Sequence, residues 1–138
     1  MTTGSASPAE RVIVDASVMV DLVARTSDRF AAVRARLAHT VMHAPAHLDA
    51  EVLSALGRMQ RAGVLTVGQV DAALEELRQA PVTRHALAPL ILGAWARRAT
   101  LRLADALYVE LADTTNHLLL TTDQRLARAW SLAESVGG

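Results

Sequence analysis

The chain has 138 residues with a formal net charge of +0; 51% are hydrophobic, 20% charged and only 3% aromatic. That balance excludes intrinsic disorder, matches the size of one domain, and leaves too few rings for a stacking platform for single-stranded nucleic acid. There is no cysteine and all fourteen basic residues are arginine, which removes thiol chemistry, Cys-ligated zinc, P-loops, Schiff bases and lysine-dependent phosphorelays.

In chain order, residues 1–9 predict a flexible polar leader without the basic start and apolar stretch of a signal peptide, and residues 10–138 a single domain. Arg11-Val12-Ile13-Val14-Asp15 is a β-branched run that predicts a buried parallel strand ending at Asp15. Val18, Met19, Leu22 and Val23 recur at helical spacing, and Phe30, Val33 and Leu37 begin a second helix. A weak second strand follows at 41–44, closed by Pro45. Residues 47–62 place Leu48, Val52, Leu53, Leu56 and Met59 on one helical stripe, stopped by Gly63. Thr66 caps the next helix, whose inward face is read as Val67, Val70, Ala73, Leu74 and Leu77. Residues 81–84 predict a third strand, and 86–98 a helix with Pro89 in its first turn. A helix over 104–113, a break at Asn116-His117, a strand over 118–121 and a helix over 123–130 complete the pattern; the tail AESVGG holds a marginal final strand.

Short apolar strands alternating with helices predict an α/β sandwich, a central parallel sheet of four or five strands flanked by helices. In such sheets the crevice lies beyond the carboxyl ends of the strands. Two clear strands end in acids, Asp15 and Asp123, while Glu51 and Asp105 sit in early helical turns among apolar residues. Each acid alone has a structural use as a cap or as a partner for a helix N-terminus. Together on one rim they repel, and a divalent cation is the economical way to neutralise them. All-oxygen ligation selects a hard ion, Mg²⁺ or Mn²⁺, of the kind that activates water against phosphodiesters.

VIVDAS, DAEVLSAL, LADALYVELA and LLTTDQRLA, in this order, resemble the PIN domain, and within it the VapC-type toxins of type II toxin–antitoxin pairs, across residues 12–129. The resemblance implies a PIN-like three-layer fold and a Mg²⁺-dependent endoribonuclease whose metal site is Asp15, Glu51, Asp105 and Asp123. It also implies supporting hydroxyls at Ser17 and Thr121, a cytoplasmic homodimer and a cognate antitoxin laid over the groove. Arg125 stands where some members carry a further acid. The wide apolar faces of helices 47–62 and 66–79 are expected to meet another chain.

Arg97, Arg98, Arg102, Arg125 and Arg128 flank two of the acids and are the candidate phosphate contacts. His39, His43 and His47 are spaced by four, but Pro45 interrupts any shared helix, so they read as ordinary histidines, with His47 one turn before Glu51. Asp49 reads as an exposed helix residue and Asp21 as a solvated one. Met19 and Ser17 stand where a metal-dependent adhesion site and a haloacid-dehalogenase-type phosphatase would need Ser and Asp. The remaining alternative is a non-catalytic PIN-like protein- or RNA-binding module, and within the enzymes a DNA-directed relative.

Overall fold

The computed structural model describes residues 8–137; most of the predicted 1–9 leader lies outside the described residues. Five strands form one wholly parallel sheet: β1 (Glu10–Val14), β2 (Thr40–Pro45), β3 (Val82–His85), β4 (Leu118–Thr121) and β5 (Ala133–Ser135), in the order β3-β2-β1-β4-β5. Consecutive strand residues point to opposite faces, and Val12, Ile13 and Val14 are all wholly inaccessible, so both faces of β1 are covered. The AESVGG tail does supply the fifth strand, pairing Leu120 of β4 with Glu134.

The helices are α1 (Ala16–Ala24), α2 (Phe30–Leu37), α3 (Leu48–Arg61), α4 (Val67–Gln79), α5 (Ile91–Ala96), α6 (Leu103–Thr115) and α7 (Gln124–Ala129). α6 lies across β1, β2 and β4; α1 rests against β4 and α2 against β2, while α3 and α4 pack on α1. Among the described residues no helix is long and apolar enough to cross a membrane. Thr66 caps α4 in a reciprocal box with Gln69, and Asn116 ends α6 in the left-handed region at φ 56°. The single helix predicted over 86–98 is instead a 3₁₀ turn at Ala88–Leu90 followed by α5, because Pro89 carries no amide hydrogen and suits only the first turn of a helical segment.

Two inward-facing expectations are corrected. Val67 and Leu53 are 61% and 55% exposed: Val67 is the first residue past the cap, and Leu53 sits on the rim of the α3 stripe, which Leu48, Val52 and Leu56 bury without it. Asp21, read as solvated, is buried on α1, where Arg29 pairs with it at 2.7 Å. Asp49, read as exposed, is only half-exposed, because its carboxylate accepts from Arg84 at 2.8 Å. His43 stands beside His85, with Nδ1 and Nε2 2.8 Å apart, well removed in role from His47.

Candidate active site

The order of the sheet reverses at its middle: the chain runs from β1 outward through β2 to β3, then returns to lay β4 on the other side of β1. Crevices form at such a reversal, beyond the carboxyl ends of the two strands. Asp15 is the first residue after β1, and its amide donates to the Leu120 carbonyl of β4 at 3.3 Å. Its carboxylate caps α1: Oδ1 accepts from the Val18 amide at 3.0 Å and from the Ser17 hydroxyl at 2.6 Å. Oδ2 accepts from the Thr121 hydroxyl at the end of β4. That same Thr121 oxygen accepts the Asp123 amide at 2.9 Å, and the Ser17 oxygen accepts the Thr122 amide at 3.0 Å. The two predicted supporting hydroxyls thus form a bracket that locks the end of β1 to the end of β4. Asp123 then caps α7, accepting from the Arg125 amide at 2.9 Å. Capping and membership of the site are compatible in both aspartates.

Glu51 and Asp105 reach the same place from the first turns of α3 and α6. One open cavity of about 330 Å³ is lined by Asp15, Glu51, Asp105 and Asp123, together with Ser17, Tyr108, Arg29, Arg58 and Arg102. The acids sense one another. Burial pushes Asp15 up to about 6 against the pull of its hydroxyl and amide donors, and the Asp105 charge adds to the rise. Burial also raises Asp105; Arg102 opposes that, and Asp123 and Glu51 reinforce it. Two of the acids meanwhile have an arginine nearby: Arg102 is 3.5 Å from Asp105, and Arg125 is 3.8 Å from Asp123. Among the described residues no three carboxylate or imidazole groups are gathered at the spacing of a finished coordination sphere. The acids line a shared wall with these arginines drawn up beside them.

Tyr108 is a site residue that sequence reasoning missed. It is fully buried and donates its hydroxyl to Glu51 Oε1 at 2.6 Å. Burial first, and the Glu51 carboxylate second, hold its phenol well above the ordinary range, so it stays a donor. His47 stacks on the Tyr108 ring, and its Nε2 faces the Ala104 carbonyl at 3.0 Å and Glu51 at 3.5 Å. The hydrogen bond of Nε2 is to the Ala104 carbonyl, and the buried Nδ1 has no partner among the described residues. Glu51 is therefore aimed by the Tyr108 hydroxyl, with the His47 ring beside it. Tyr108→Phe removes that donor: catalysis that depends on Glu51 should fall about tenfold, while thermal stability, read by calorimetry, drops by only ~1 kcal/mol because partly exposed Glu51 still finds water.

The candidate arginines divide. Arg102 lines the cavity and Arg125 stands beside Asp123. Arg97 is committed elsewhere, to Glu110 at 3.1 Å and Asp113 at 2.8 Å, over the Trp130 ring. Arg98 lies over Trp95, and Arg128 is exposed outside the cavity's lining. Arg29 and Arg58 line it instead. Arg58 was legible, seven residues after Glu51 and so on the same helical face, and Tyr108 likewise, three after Asp105. Arg29 had no local signal.

A PIN domain model matches residues 12–130, and the chain belongs to that family. Within the family it is 72% identical to Ribonuclease VapC3 of Mycobacterium tuberculosis over 137 residues, 99% of this chain and 100% of that protein. Among solved structures it is similar in fold to M. tuberculosis VapC20, a Sarcin-Ricin loop cleaving toxin, with TM-score 0.66 and 19% identity over 86% of this chain and 94% of that one. It is likewise similar to VapBC2 from Rickettsia felis bound to a DNA fragment from their promoter, with TM-score 0.66 and 14% identity over 91% and 98%.

Proposed function

We propose that the chain, with residues 10–138 as its single domain, is a VapC-type endoribonuclease toxin that hydrolyses RNA phosphodiesters at the pocket of Asp15, Glu51, Asp105 and Asp123. One observation carries the reading. Four carboxylates from separate segments open on one cavity, and two of them, Asp15 and Asp105, are driven upward by burial first and by the charge of neighbouring acids second. A fold retains such repulsion where a cation offsets it. The donors are all oxygen, the chemistry that suits Mg²⁺ or Mn²⁺ rather than a thiolate- or imidazole-seeking metal. Bound there, the ion supplies positive charge against the phosphate in its transition state and makes a coordinated water acidic.

The chain's own residues do the rest. Asp15, Asp105 and Asp123 hold the ion, with Asp15 fixed by Ser17, Val18 and Thr121 so that little reorganisation is needed. Glu51, aimed by Tyr108, orients the attacking water and accepts its proton. Arg102 and Arg125, both largely exposed beside Asp105 and Asp123, would be available to the substrate phosphates once a cation balanced those carboxylates.

The 72% identity to a protein named Ribonuclease VapC3 supports the substrate class, and the likeness to a VapBC complex supports a cognate antitoxin as partner. A homodimer is part of the same reading, with exposed Ile91, Leu92 and Trp95 as apolar surface for it. Purified protein should cleave single-stranded RNA in Mg²⁺ or Mn²⁺, stop in EDTA, and leave single-stranded DNA intact. Its production alone should arrest growth, with antitoxin co-expression restoring it. Intact RNA in excess Mn²⁺ would refute the enzyme reading and favour a binding module.

A further inference from the structure

We infer that Arg29 is a substrate-positioning cation, held in the cavity wall by buried Asp21 and by the close passage of Gly137 so that one edge of its guanidinium faces an RNA phosphate. The inference rests on the nuclease reading above and adds a residue to it. Arg29 uses Nε and Nη2 on the two oxygens of Asp21, at 2.7 and 3.3 Å. A guanidinium presents two forked edges, and this pairing consumes one of them, leaving the Nη1 edge available. Arg29 lines the cavity, whereas Asp21 does not. The negative partner therefore sits behind the wall and the positive one in it.

The aliphatic stem is fixed as well. A β-carbon on Gly137 would lie 2.8 Å from Arg29 Cγ and 2.9 Å from Cβ, closer than real atoms approach. Gly137 also has φ +76°, which a side chain resists. The segment after β5 thus packs its backbone directly on the Arg29 stem, a fit that glycine alone provides. The Arg29 amide is tied in turn to the Ser27 hydroxyl at 3.0 Å.

Simple neutralisation of Asp21 does not account for this arrangement. An ion pair with one partner as exposed as Arg29, 43% accessible, adds only about 0–1 kcal/mol to stability. What this one delivers is a positive group held from behind in a cavity whose other charges are four carboxylates and two further arginines, Arg58 and Arg102. A polyanion entering that cavity needs such a group. Arg102 and Arg125 stand beside acids of the site, but the partner of Arg29 lies outside the lining, so the unpaired edge of Arg29 stays open to a phosphate whether or not a cation is bound, even though Asp21 offsets part of its charge.

The test measures cleavage of a labelled single-stranded oligoribonucleotide in Mg²⁺, and its binding in EDTA by anisotropy, over a range of KCl. Arg29→Gln alone leaves Asp21 unpaired, so the Asp21→Asn/Arg29→Gln double variant, which removes both charges, guards against misfolding. In either variant KM and Kd should rise ~10-fold or more with kcat changed less than about threefold, and the slope of log Kd against log salt should fall by ~0.7, the value for one phosphate contact on a single strand. Arg29→Lys should restore the salt slope but only part of the affinity, since charge returns without the fork. Asp21→Asn, which leaves the cation but frees it, should raise KM about threefold to tenfold. Unaltered KM, Kd and salt slope in the folded double variant overturn the inference. Failure of the wild-type protein to cleave counts against the nuclease reading instead, and Arg29 is then decided by the EDTA binding data alone.

Discussion

Asp15→Asn is expected to abolish cleavage, by about a thousandfold or more, while making the metal-free protein more stable at neutral pH. The first effect follows from the proposed role of Asp15 as a cation ligand, which no neighbouring group would replace. The second comes from burial. Asp15 is almost wholly inaccessible, and its carboxyl is pushed from 3.8 to about 6 chiefly by loss of water. Moving a carboxyl that far corresponds to ~3 kcal/mol against the charged form in the folded state, an upper bound on what neutralisation recovers. Asparagine keeps an acceptor for the Val18 amide and sheds the charge, so a rise of a few degrees in Tm in EDTA at pH 7.5 is expected. The pH dependence fixes the sign. The folded pKa lies above the unfolded one, so the penalty is full above about 6, shrinks as pH falls toward 3.8, and vanishes below it. The advantage of the variant should shrink over the same window, and Mg²⁺ should stabilise the wild type while leaving Asp15→Asn unmoved. A variant less stable than the wild type in EDTA at pH 7.5 would refute the desolvation argument.

The sheet and the rim acids were readable because they obey local rules. A β-branched run such as Val12-Ile13-Val14 has one economical fate in a buried parallel sheet, and an acid after it lands at the carboxyl edge. Glu51 and Asp105 were readable for the same reason, from their places in the first turns of periodic helices. What escaped depends on side-chain contacts between separate elements, which local patterns do not encode. Asp21 looks like a solvated helix residue until Arg29, eight positions on, folds back over it. Arg97 looks like a phosphate ligand until Glu110 and Asp113, three residues and so about one turn apart on the facing helix α6, claim it. Gly93, in α5, is there because Glu110 fills the space a β-carbon would take. Arginine is the residue for which sequence position says least, since its long stem lets tertiary charge decide where the head goes.

The hydroxyl bracket gives the second large effect. Thr121 is wholly buried, and its one oxygen serves three groups: it donates to Asp15, accepts the Asp123 amide, and lies 3.4 Å from Ser17. Thr121→Val keeps the shape of the side chain and deletes all of this. An anionic Asp15 oxygen and a backbone amide are then left buried without partners, at a cost of ~1–3 kcal/mol each when unrelieved. Asp15 can escape by taking up a proton, since losing a donor to its charged form raises its pKa beyond about 6. Stability should therefore fall most at neutral and alkaline pH and recover on acidification, while the acid limb of the pH–rate profile for RNA cleavage moves upward. Activity at pH 7 should drop by about a hundredfold, because a partly protonated Asp15 is a poorer cation ligand and Asp123 loses its anchor to β4. Thr121→Ser retains the oxygen and should restore most of the rate despite the lost methyl. Equal damage from valine and serine would place the role of Thr121 in packing and remove the bracket from the account of the site.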